Sequence, residues 1–251
     1  MLYGLYLSAG GVMSSSHKQD VIANNLANSE TTGFKRDIPA FRQRLTAAQE
    51  NRRPGDWTDP ALEGLGGGLF VQPSTFDLQQ GAIEKTGNPL DVAIDGNGFF
   101  GVLDKGQTRL TRDGRFRLDQ RGNLVNNSGQ SVVDDRGLAI NLPADGPISI
   151  DAKGAILQRG KVVAQVGTFD VPDRSKLEKL GNGLLSYPDA NRITPTAATV
   201  HGEALESSNV DPATELSDLM DSQRQLEMNA NMIHIQDTML QRLVNDVGKI
   251  S

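Results

Sequence analysis

The chain has 251 residues, a length that fits one or two domains. Hydrophobic residues make up 37% of it and glycine contributes 27 further residues, a globular composition that excludes disorder along most of the chain. Its 25 Lys and Arg against 31 Asp and Glu leave a net charge of -6, and no basic cluster is present that would bind nucleic acid.

Several further classes of protein are excluded by what the sequence lacks. No run approaches the roughly 20 apolar residues that cross a bilayer, so we expect no membrane insertion. Residues 1–13 have neither the basic start nor the cleavage site of a secretory signal. Cysteine is absent, which removes disulfides, thiolate nucleophiles and cysteine-ligated zinc. The three histidines lie far apart, so few imidazole groups are available for catalysis or metal binding, and we expect no metal site and no cofactor.

A helix is predicted at the N-terminus. Apolar or small side chains recur at intervals of three and four residues, with interruptions at Ser16 and Gln19: Leu2, Leu5, Ala9, Val12, Ala23 and Leu26. This spacing is typical of a helix that packs along a narrow seam.

The end of this helix carries three asparagines, Asn24, Asn25 and Asn28. Asparagine is a poor helix former, so one interpretation is a helix that frays into the turn before Gly33. In the other interpretation their amides hydrogen-bond the backbones of neighbouring chains in an assembly. The sequence leaves both open.

The middle of the chain has a different pattern. After a linker over residues 49–68, rich in proline and glycine, glycines recur every six to nine residues between 106 and 160. Short β-rich runs stand between the turns: Val92–Ile94, Phe99–Leu103, Arg115–Leu118, Ser131–Val133, Ala155–Leu157 and Val162–Phe169. This regular alternation of turns and short β-rich runs predicts antiparallel hairpins packed as a sandwich or barrel.

The C-terminal segment carries the cleaner helical pattern. Asp211 can cap the first turn and Pro212 supplies a suitable φ at the first helical position. Gln223 and Asp237 interrupt the apolar seam, and polar seam residues can fix the register of paired helices. Apolar side chains keep one register at Leu216, Leu219, Leu226, Ala230, Ile233, Leu240, Val244 and Val247. Four methionines border this seam and are interpreted as interface filler: Met220, Met228, Met232 and Met239.

The predicted fold class is therefore mainly β with long terminal α-helices, an antiparallel sandwich or barrel inserted between coiled-coil-type helices. We expect a discontinuous helical assembly domain from 1–33 and 208–251, an extended connecting segment over 34–81, and a β domain over 82–207. Helices with exposed apolar seams are marginal alone, so we expect the termini to contact other chains. The expected assembly residues are Leu5, Val12, Ile22, Asn25, Leu26, Asn28, Leu216, Leu219, Leu226, Ile233, Leu240 and Val244.

Two motifs in the middle region have a chemical and a structural interpretation. Gly96, Gly98 and Gly101 form a G-x-G-x-x-G after a predicted strand, as in dinucleotide sites. A pyrophosphate site needs a helix to follow, whereas the sequence after Gly101 turns at Lys105–Gly106, so a hairpin turn is favoured. The aspartates near the glycines lack the alternation of a calcium loop and are interpreted as turn residues.

Four ordered blocks of sequence resemble the flagellar rod and hook proteins of bacteria. The first, over 23–36, reads ANNLANSETTGFKR, and the second, over 86–100, reads TGNPLDVAIDGNGFF. The third combines TRDGRF at 111–116 with GNLV at 122–125, and the fourth, over 206–210, reads ESSNV. Residues 130–199 and 49–68 carry no such pattern.

This resemblance implies a structural, non-enzymatic subunit of the flagellar basal body, located in the periplasmic rod. It implies export by the flagellar type III apparatus and polymerisation with copies of itself and other rod subunits into a helical tube that transmits torque. Room for one β domain favours a rod subunit over a hook subunit. Within the rod, the segment 223–237 favours the proximal subunit, with the distal subunit as the alternative.

Two functions outside this family compete with the rod hypothesis. A β-sandwich binding module dimerised by its helices would present an exposed aromatic platform, but aromatic residues are only 5% of the chain and the one tryptophan, Trp57, lies in the linker. A nucleotide-dependent enzyme would depend on Gly96, Gly98 and Gly101, and it requires a helix after Gly101.

Overall fold

The computed structural model describes residues 2–45, 68–143 and 146–247. It divides into two compact units. The helical unit comprises Met1–Ala27, Asp37–Asp77 and Asp211–Ser251, and the β unit comprises Asn28–Arg36 and Leu78–Val210. The predicted linker over 49–68 lies outside the described residues except for Gly68, as does Trp57.

Long helices begin and end the described chain, as predicted. Helix α1 spans Leu2–Ala27 and helix α2 spans Pro212–Val247. The predicted cap of α2 is confirmed, because Asp211 accepts the Ala213 N–H at 3.1 Å and the Thr214 hydroxyl at 2.6 Å. The hydrogen bond from Thr214 lowers the pKa of Asp211. Neither helix, over its described residues, has the length of apolar sequence that a bilayer requires.

The rest of the described chain is mainly β, with every strand pair antiparallel. The strands are β1 (Asp37–Gln43), β2 (Leu69–Phe76), β3 (Ile83–Lys85), β4 (Val92–Asp95), β5 (Phe99–Asp104), β6 (Gln107–Thr111), β7 (Arg117–Leu118), β8 (Leu124–Val125), β9 (Ser131–Val132), β10 (Ile148–Ile150), β11 (Ala155–Gln158), β12 (Lys161–Gln165), β13 (Thr168–Asp170), β14 (Glu178–Gly181), β15 (Leu184–Ser186), β16 (Thr194–Pro195), β17 (Thr199–Gly202) and β18 (Ala204–Glu206).

Open sheets, rather than one closed surface, make up this region. The largest sheet has the spatial order β14-β15-β6-β5-β9-β8-β7, and β13 pairs with both β5 and β16. Smaller sheets pair β17 with β4, β18 with β3, and β10, β11 and β12 in that order. In the helical unit β1 pairs with β2.

One apolar core holds the β unit together. Phe100 is fully buried and meets Phe116 edge to face, with ring centroids 5.2 Å apart. Its members come from strands of different sheets, such as β4, β5 and β11, and from the segments between strands, so the core joins the sheets into one unit. The buried residues of this cluster are Val92, Ile94, Phe100, Val102, Phe116, Leu124, Val132, Ile140, Leu142, Ile156, Val166, Leu184 and Val200.

A single type of turn recurs in the β unit at Asp119, Asn126, Asp134 and Asp151. In each turn the side-chain Oδ1 accepts the backbone N–H four residues later at 2.8 Å. The backbone carbonyl accepts the N–H of a glycine three residues later, whose φ lies between 76 and 84°. Only glycine adopts this φ readily, so the aspartates are turn residues, as predicted.

The strand predicted over Val162–Phe169 is wrong in one respect, because it is two strands. β12 belongs to the sheet of β10 and β11, and β13 belongs to the largest sheet. The break lies at Gly167, whose N–H donates to the Val133 carbonyl at 2.9 Å. A Cβ there would lie 2.4 Å from the Asp134 carbonyl oxygen, so only glycine fits this close approach.

Candidate assembly site on the terminal helices

The two helices of the helical unit pack antiparallel. Low numbers on α1 meet high numbers on α2, in four contacts that follow in order: Gly4 with Gln236, Gly11 with Asn229, Ser15 with Ser222, and Asn25 with Glu215. The α2 members of these contacts are seven residues apart, so they form one layer of a heptad repeat. We call Glu215, Ser222, Asn229 and Gln236 the polar layer.

Small residues of α1 let the polar layer approach closely. A Cβ on Gly4 would lie 2.8 Å from Gln236 Nε2, and a Cβ on Gly11 would lie 2.7 Å from the Asn229 amide. Ser222 is fully buried and donates to the Ser15 carbonyl at 3.0 Å. The contact between the helices therefore depends on short side chains and hydrogen bonds.

A second layer of the same heptad is apolar. It consists of Leu219, Leu226, Ile233 and Leu240, which are again seven residues apart and are half-buried. These four residues were expected in the seam.

The register of the predicted seam differs from the observed one. Leu216 and Val244 remain 48% and 70% exposed, and Gln223 and Asp237 are also exposed. Leu216, Gln223 and Asp237 each stand one residue after a member of the polar layer, and Val244 lies seven residues after Asp237. The polar layer and the half-buried apolar layer therefore form the covered side of α2, whereas Leu216 and Val244 stay exposed.

Residues expected to take part in assembly on α1 lie partly inside the helical unit. Ile22 is buried, and Leu5, Val12 and Leu26 are half-buried. In the β unit, the Asn28 side chain accepts a hydrogen bond from the Thr31 hydroxyl at 3.2 Å.

Asn25 binds three groups of its own chain. Its Oδ1 accepts the Asp37 N–H at 2.8 Å, and its Nδ2 donates to the Asp37 carbonyl at 2.9 Å and to Glu215 Oε2 at 3.3 Å. Asn25 is 1% exposed, and so is Glu215. This amide therefore joins α1, β1 and α2 within the helical unit.

Methionines occupy a separate, exposed face of α2. Met228, Met232, Ile235 and Met239 follow one another at intervals of four, three and four residues, the spacing of a helix-packing stripe. They are 69%, 50%, 49% and 54% exposed. We call these four residues the methionine stripe. The sequence indicated methionines at the edge of the seam, whereas they form a second apolar face.

A buried charge cluster lies in the β unit. Lys35 Nζ donates to Glu206 Oε1 at 2.6 Å, and Arg112 donates to Oε2 at 2.9 Å. The side chains of Lys35, Arg112 and Glu206 are 3%, 6% and 0% exposed. The Gly81 N–H also donates to Glu206 at 3.1 Å, and Lys35 also donates to the Gln79 carbonyl at 2.7 Å. We call Lys35, Arg112 and Glu206 the charge cluster.

The segment around Lys35 is fixed to the rest of the β unit by its backbone. Gly33 donates its N–H to the Glu206 carbonyl at 2.7 Å, and Arg36 donates its N–H to Asn209 Oδ1 at 2.7 Å. Gly33 has a φ of 67°, and a Cβ there would lie 2.4 Å from the carbonyl carbon of Arg112. Glycine is therefore required at this position by both conformation and space.

The G-x-G-x-x-G segment forms a turn that joins two sheets, because β4 pairs with β17 and β5 lies in the largest sheet, so the predicted hairpin is wrong. Gly96 and Gly98 lie in the turn between β4 and β5, and Gly101 lies within β5, which leads into β6. A strand thus stands where a dinucleotide site needs a helix N-terminus. Over the described residues, His, Asp and Glu side chains form no group of three that could hold a metal ion.

Comparison with known proteins gives a consistent result along the chain. Family models match residues 5–35 ("Flagella basal body rod protein"), 93–158 ("Flagellar hook protein FlgE/F/G D1 domain") and 201–246 ("Flagellar basal body rod FlgEFG protein C-terminal"). The flagellar basal-body rod protein FlgF of Caulobacter vibrioides is 34% identical, over 98% of both chains. The chain belongs to the flagellar basal-body rod protein family.

Relatives under two names resemble this rod protein to a similar degree. The rod protein FlgG of Buchnera aphidicola is 33% identical, over 97% of this chain and 99% of its own. The rod protein FlgG of Bacillus subtilis is 32% identical, over 98% of this chain and 99% of its own. Family membership places the chain in the flagellar basal-body rod as a structural subunit, but these identities do not separate the two names.

The charge cluster takes one residue from each matched part of this rod protein. Lys35 lies in the segment 5–35, Arg112 in 93–158 and Glu206 in 201–246. Segments that are far apart in sequence thus meet at one buried ion cluster. Three of the four resembling blocks owe part of their residue pattern to this contact, a structural role that sequence reasoning did not identify.

Proposed function

We propose that this rod subunit polymerises through α1 and α2 into a helical tube that transmits torque. The observation that carries the proposal is the methionine stripe, a row of apolar side chains with helix-packing spacing left about half exposed on α2. An amphipathic helix is stable where its apolar face is covered, and the α1 contact covers a different face.

Burial of the stripe supplies enough free energy to matter. Full burial of a methionine or isoleucine side chain gives about 1.5–3 kcal/mol, and these four are already about half covered. The stripe therefore offers about 3–6 kcal/mol for each subunit contact, before the entropy cost of association. Leu216 and Val244 add further exposed apolar area on α2.

Contacts between unlike faces produce filaments. The methionine stripe and the exposed side chains of α1 differ in composition, so one subunit's stripe is suited to a different surface of its neighbour. Such head-to-tail contacts extend into an open helical assembly unless a rotation closes them. We infer partners of two kinds, copies of this chain and other rod subunits, with α1 and α2 as the assembly domain.

Three finer parts of the proposal depend on family resemblance. They are export through the flagellar type III apparatus, a β unit that faces outward, and a position in the proximal rod. The segment 223–237 favours the proximal position, and it contains most of the methionine stripe.

The competing binding module receives no support from the aromatic residues. In the β unit Phe99, Phe100, Phe116, Phe169 and Tyr187 are all buried. The remaining one, Phe34, lies under the Lys179 ammonium at 4.3 Å. Their burial favours a packing role and, with it, the rod proposal.

The test replaces two stripe residues by lysine, in Met232→Lys with Met239→Lys. Because both positions are at least half exposed, the subunit should fold, and its β unit should melt as before. We expect the loss of polymer in sedimentation velocity and of swimming in a strain that lacks its own copy. The stripe offers a better test than Leu226 and Ile233, which are half-buried within the helical unit.

A matched control adds the same charge elsewhere on α2. Asn231→Lys with Asn245→Lys changes two exposed polar positions, and both polymer formation and swimming should persist. Normal swimming of the stripe variant, or equal loss in the control, would refute the proposed assembly surface.

A further inference from the structure

All the methionines that the structure describes lie on α1 and α2. The chain has no cysteine and six methionines, and none of the methionines lies between residues 14 and 219. Every methionine described is at least half exposed: Met13 66%, Met220 55%, Met228 69%, Met232 50% and Met239 54%. This distribution is unusual because methionine normally fills apolar interiors.

Exposed thioethers are the oxidisable groups of such a chain. A peroxide transfers one oxygen atom to the sulfur: the O–O bond breaks, an S=O bond forms, the sulfur loses two electrons, and the peroxide is reduced to water. The product, methionine sulfoxide, is polar and accepts strong hydrogen bonds. Nothing in the described surroundings of Met228, Met232 or Met239 shields the side chain from a small oxidant, since each is at least half exposed.

We propose that the methionine stripe is an oxidation-sensitive surface, and that peroxide conversion of Met228, Met232 and Met239 to sulfoxides stops subunits from associating through α2. Its effect on association rests on the proposed function above. Three of the four stripe residues carry sulfur, so oxidation makes the stripe polar along its whole length. The β unit contains no methionine and keeps its core unchanged.

Assembly protects the methionine stripe from oxidation. A stripe covered by a neighbouring helix is closed to peroxide, so the same three residues react in the free subunit and are protected in the polymer. The oxidation state of the stripe at the moment of assembly therefore decides whether a subunit is incorporated.

The test compares the full chain with two leucine variants. Met228→Leu, Met232→Leu and Met239→Leu together keep an apolar stripe of similar volume that peroxide does not oxidise. Met13→Leu with Met220→Leu is the matched control, which keeps the stripe oxidisable. Each protein is treated with hydrogen peroxide, and mass spectrometry counts the additions of about 16 Da. Retention on a phenyl column and sedimentation then measure the apolar surface and the association.

The expected result separates the variants. The unmodified chain and the Met13/Met220 control lose phenyl-column retention and association after peroxide, whereas the triple-leucine variant keeps both. Equal losses in the triple-leucine variant would overturn the proposal, as would full association of a chain that carries three stripe sulfoxides. If untreated chains fail to associate, the proposed function is wrong, and column retention still decides whether oxidation alters the stripe.

Discussion

Replacement of Glu206 by glutamine should strongly destabilise the β unit. Glutamine keeps the shape of the side chain but removes the buried negative charge that pairs with both Lys35 and Arg112. Breaking a buried ion pair from one side costs about 3–5 kcal/mol. This is a large part of the roughly 5–15 kcal/mol that stabilises a typical domain. For a unit of this size, about 3 °C per kcal/mol gives a fall in Tm of about 9–15 °C.

Thermal unfolding followed by near-ultraviolet circular dichroism measures this fall. Glu84→Gln is the matched control, because Glu84 lies on β3, which pairs with β18, the strand of Glu206, and it is exposed. We expect the control to melt within about 2 °C of the unmodified chain, since exposed substitutions change stability by about 0.5 kcal/mol or less. A double-mutant cycle of Lys35→Met with Glu206→Gln should show coupling, because the two side chains are in direct contact at 2.6 Å. Equal melting of the Glu206 and Glu84 variants would show that the charge cluster does not stabilise the fold.

Two further predictions concern the turns of the β unit. Gly33→Ala should lower the free energy of unfolding, measured by denaturant titration, by about 2–5 kcal/mol, because it adds both a strained φ and an overlap with Arg112. Gly87→Ala is the control, since Gly87 has a φ of 74° but open space around it, and it should cost about 1–2 kcal/mol. Similar losses in the two variants would refute the overlap. Hydrogen bonds from Asn123 hold the pKa of Asp119 below its ordinary value of 3.8. The ionised carboxylate therefore stabilises the fold at pH values above 3.8, and this stabilisation is lost as the pH falls through the lower pKa of the folded state. Asp119→Asn should keep the turn at neutral pH, as Asn126 does in the next turn, and melting temperatures measured between about pH 6 and pH 2 should then fall less steeply than in the unmodified chain; an unchanged slope would contradict the prediction.

Local sequence patterns predicted the parts of the fold that depend on local physics. The cap at Asp211 and Pro212 defined the start of α2 because it acts within one helical turn. The runs at 92–94 and 99–103 became β4 and β5 because apolar residues there are bounded by turn signals.

The hairpin of β1 and β2 was not predicted, for a physical reason. Each strand contains a proline, Pro39 in β1 and Pro73 in β2, and proline within a run argues against a strand. In the structure the register shifts between Ile38 and Ala40, so Pro39 lies at an irregularity of the ladder. A two-stranded hairpin also leaves outer edges where proline costs no ladder hydrogen bond.

The register of the helix contact was harder to predict than the helices themselves. Hydrophobicity favours Leu216 and Val244 as seam residues, but both are exposed. The structure instead places the polar layer against α1. The register depends on the other helix, because Gly4 and Gly11 have no side chains and so allow Gln236 and Asn229 of α2 to approach α1 closely. The charge cluster was missed similarly, because Lys35, Arg112 and Glu206 are 171 residues apart at most and only the fold brings them together.

The composition of the helix contact explains why an apolar face remains for other chains. A helix packed through leucines in both heptad layers would bury most of its large side chains within one subunit. Here α2 uses the polar layer against the glycines of α1, so only Leu219, Leu226, Ile233 and Leu240 are used inside the subunit. The methionine stripe lies outside that contact, and its burial free energy is released when a second helix covers it. Under the proposed function, the sequence divides its helical apolar residues between folding and assembly, which is the arrangement that a polymerising subunit requires.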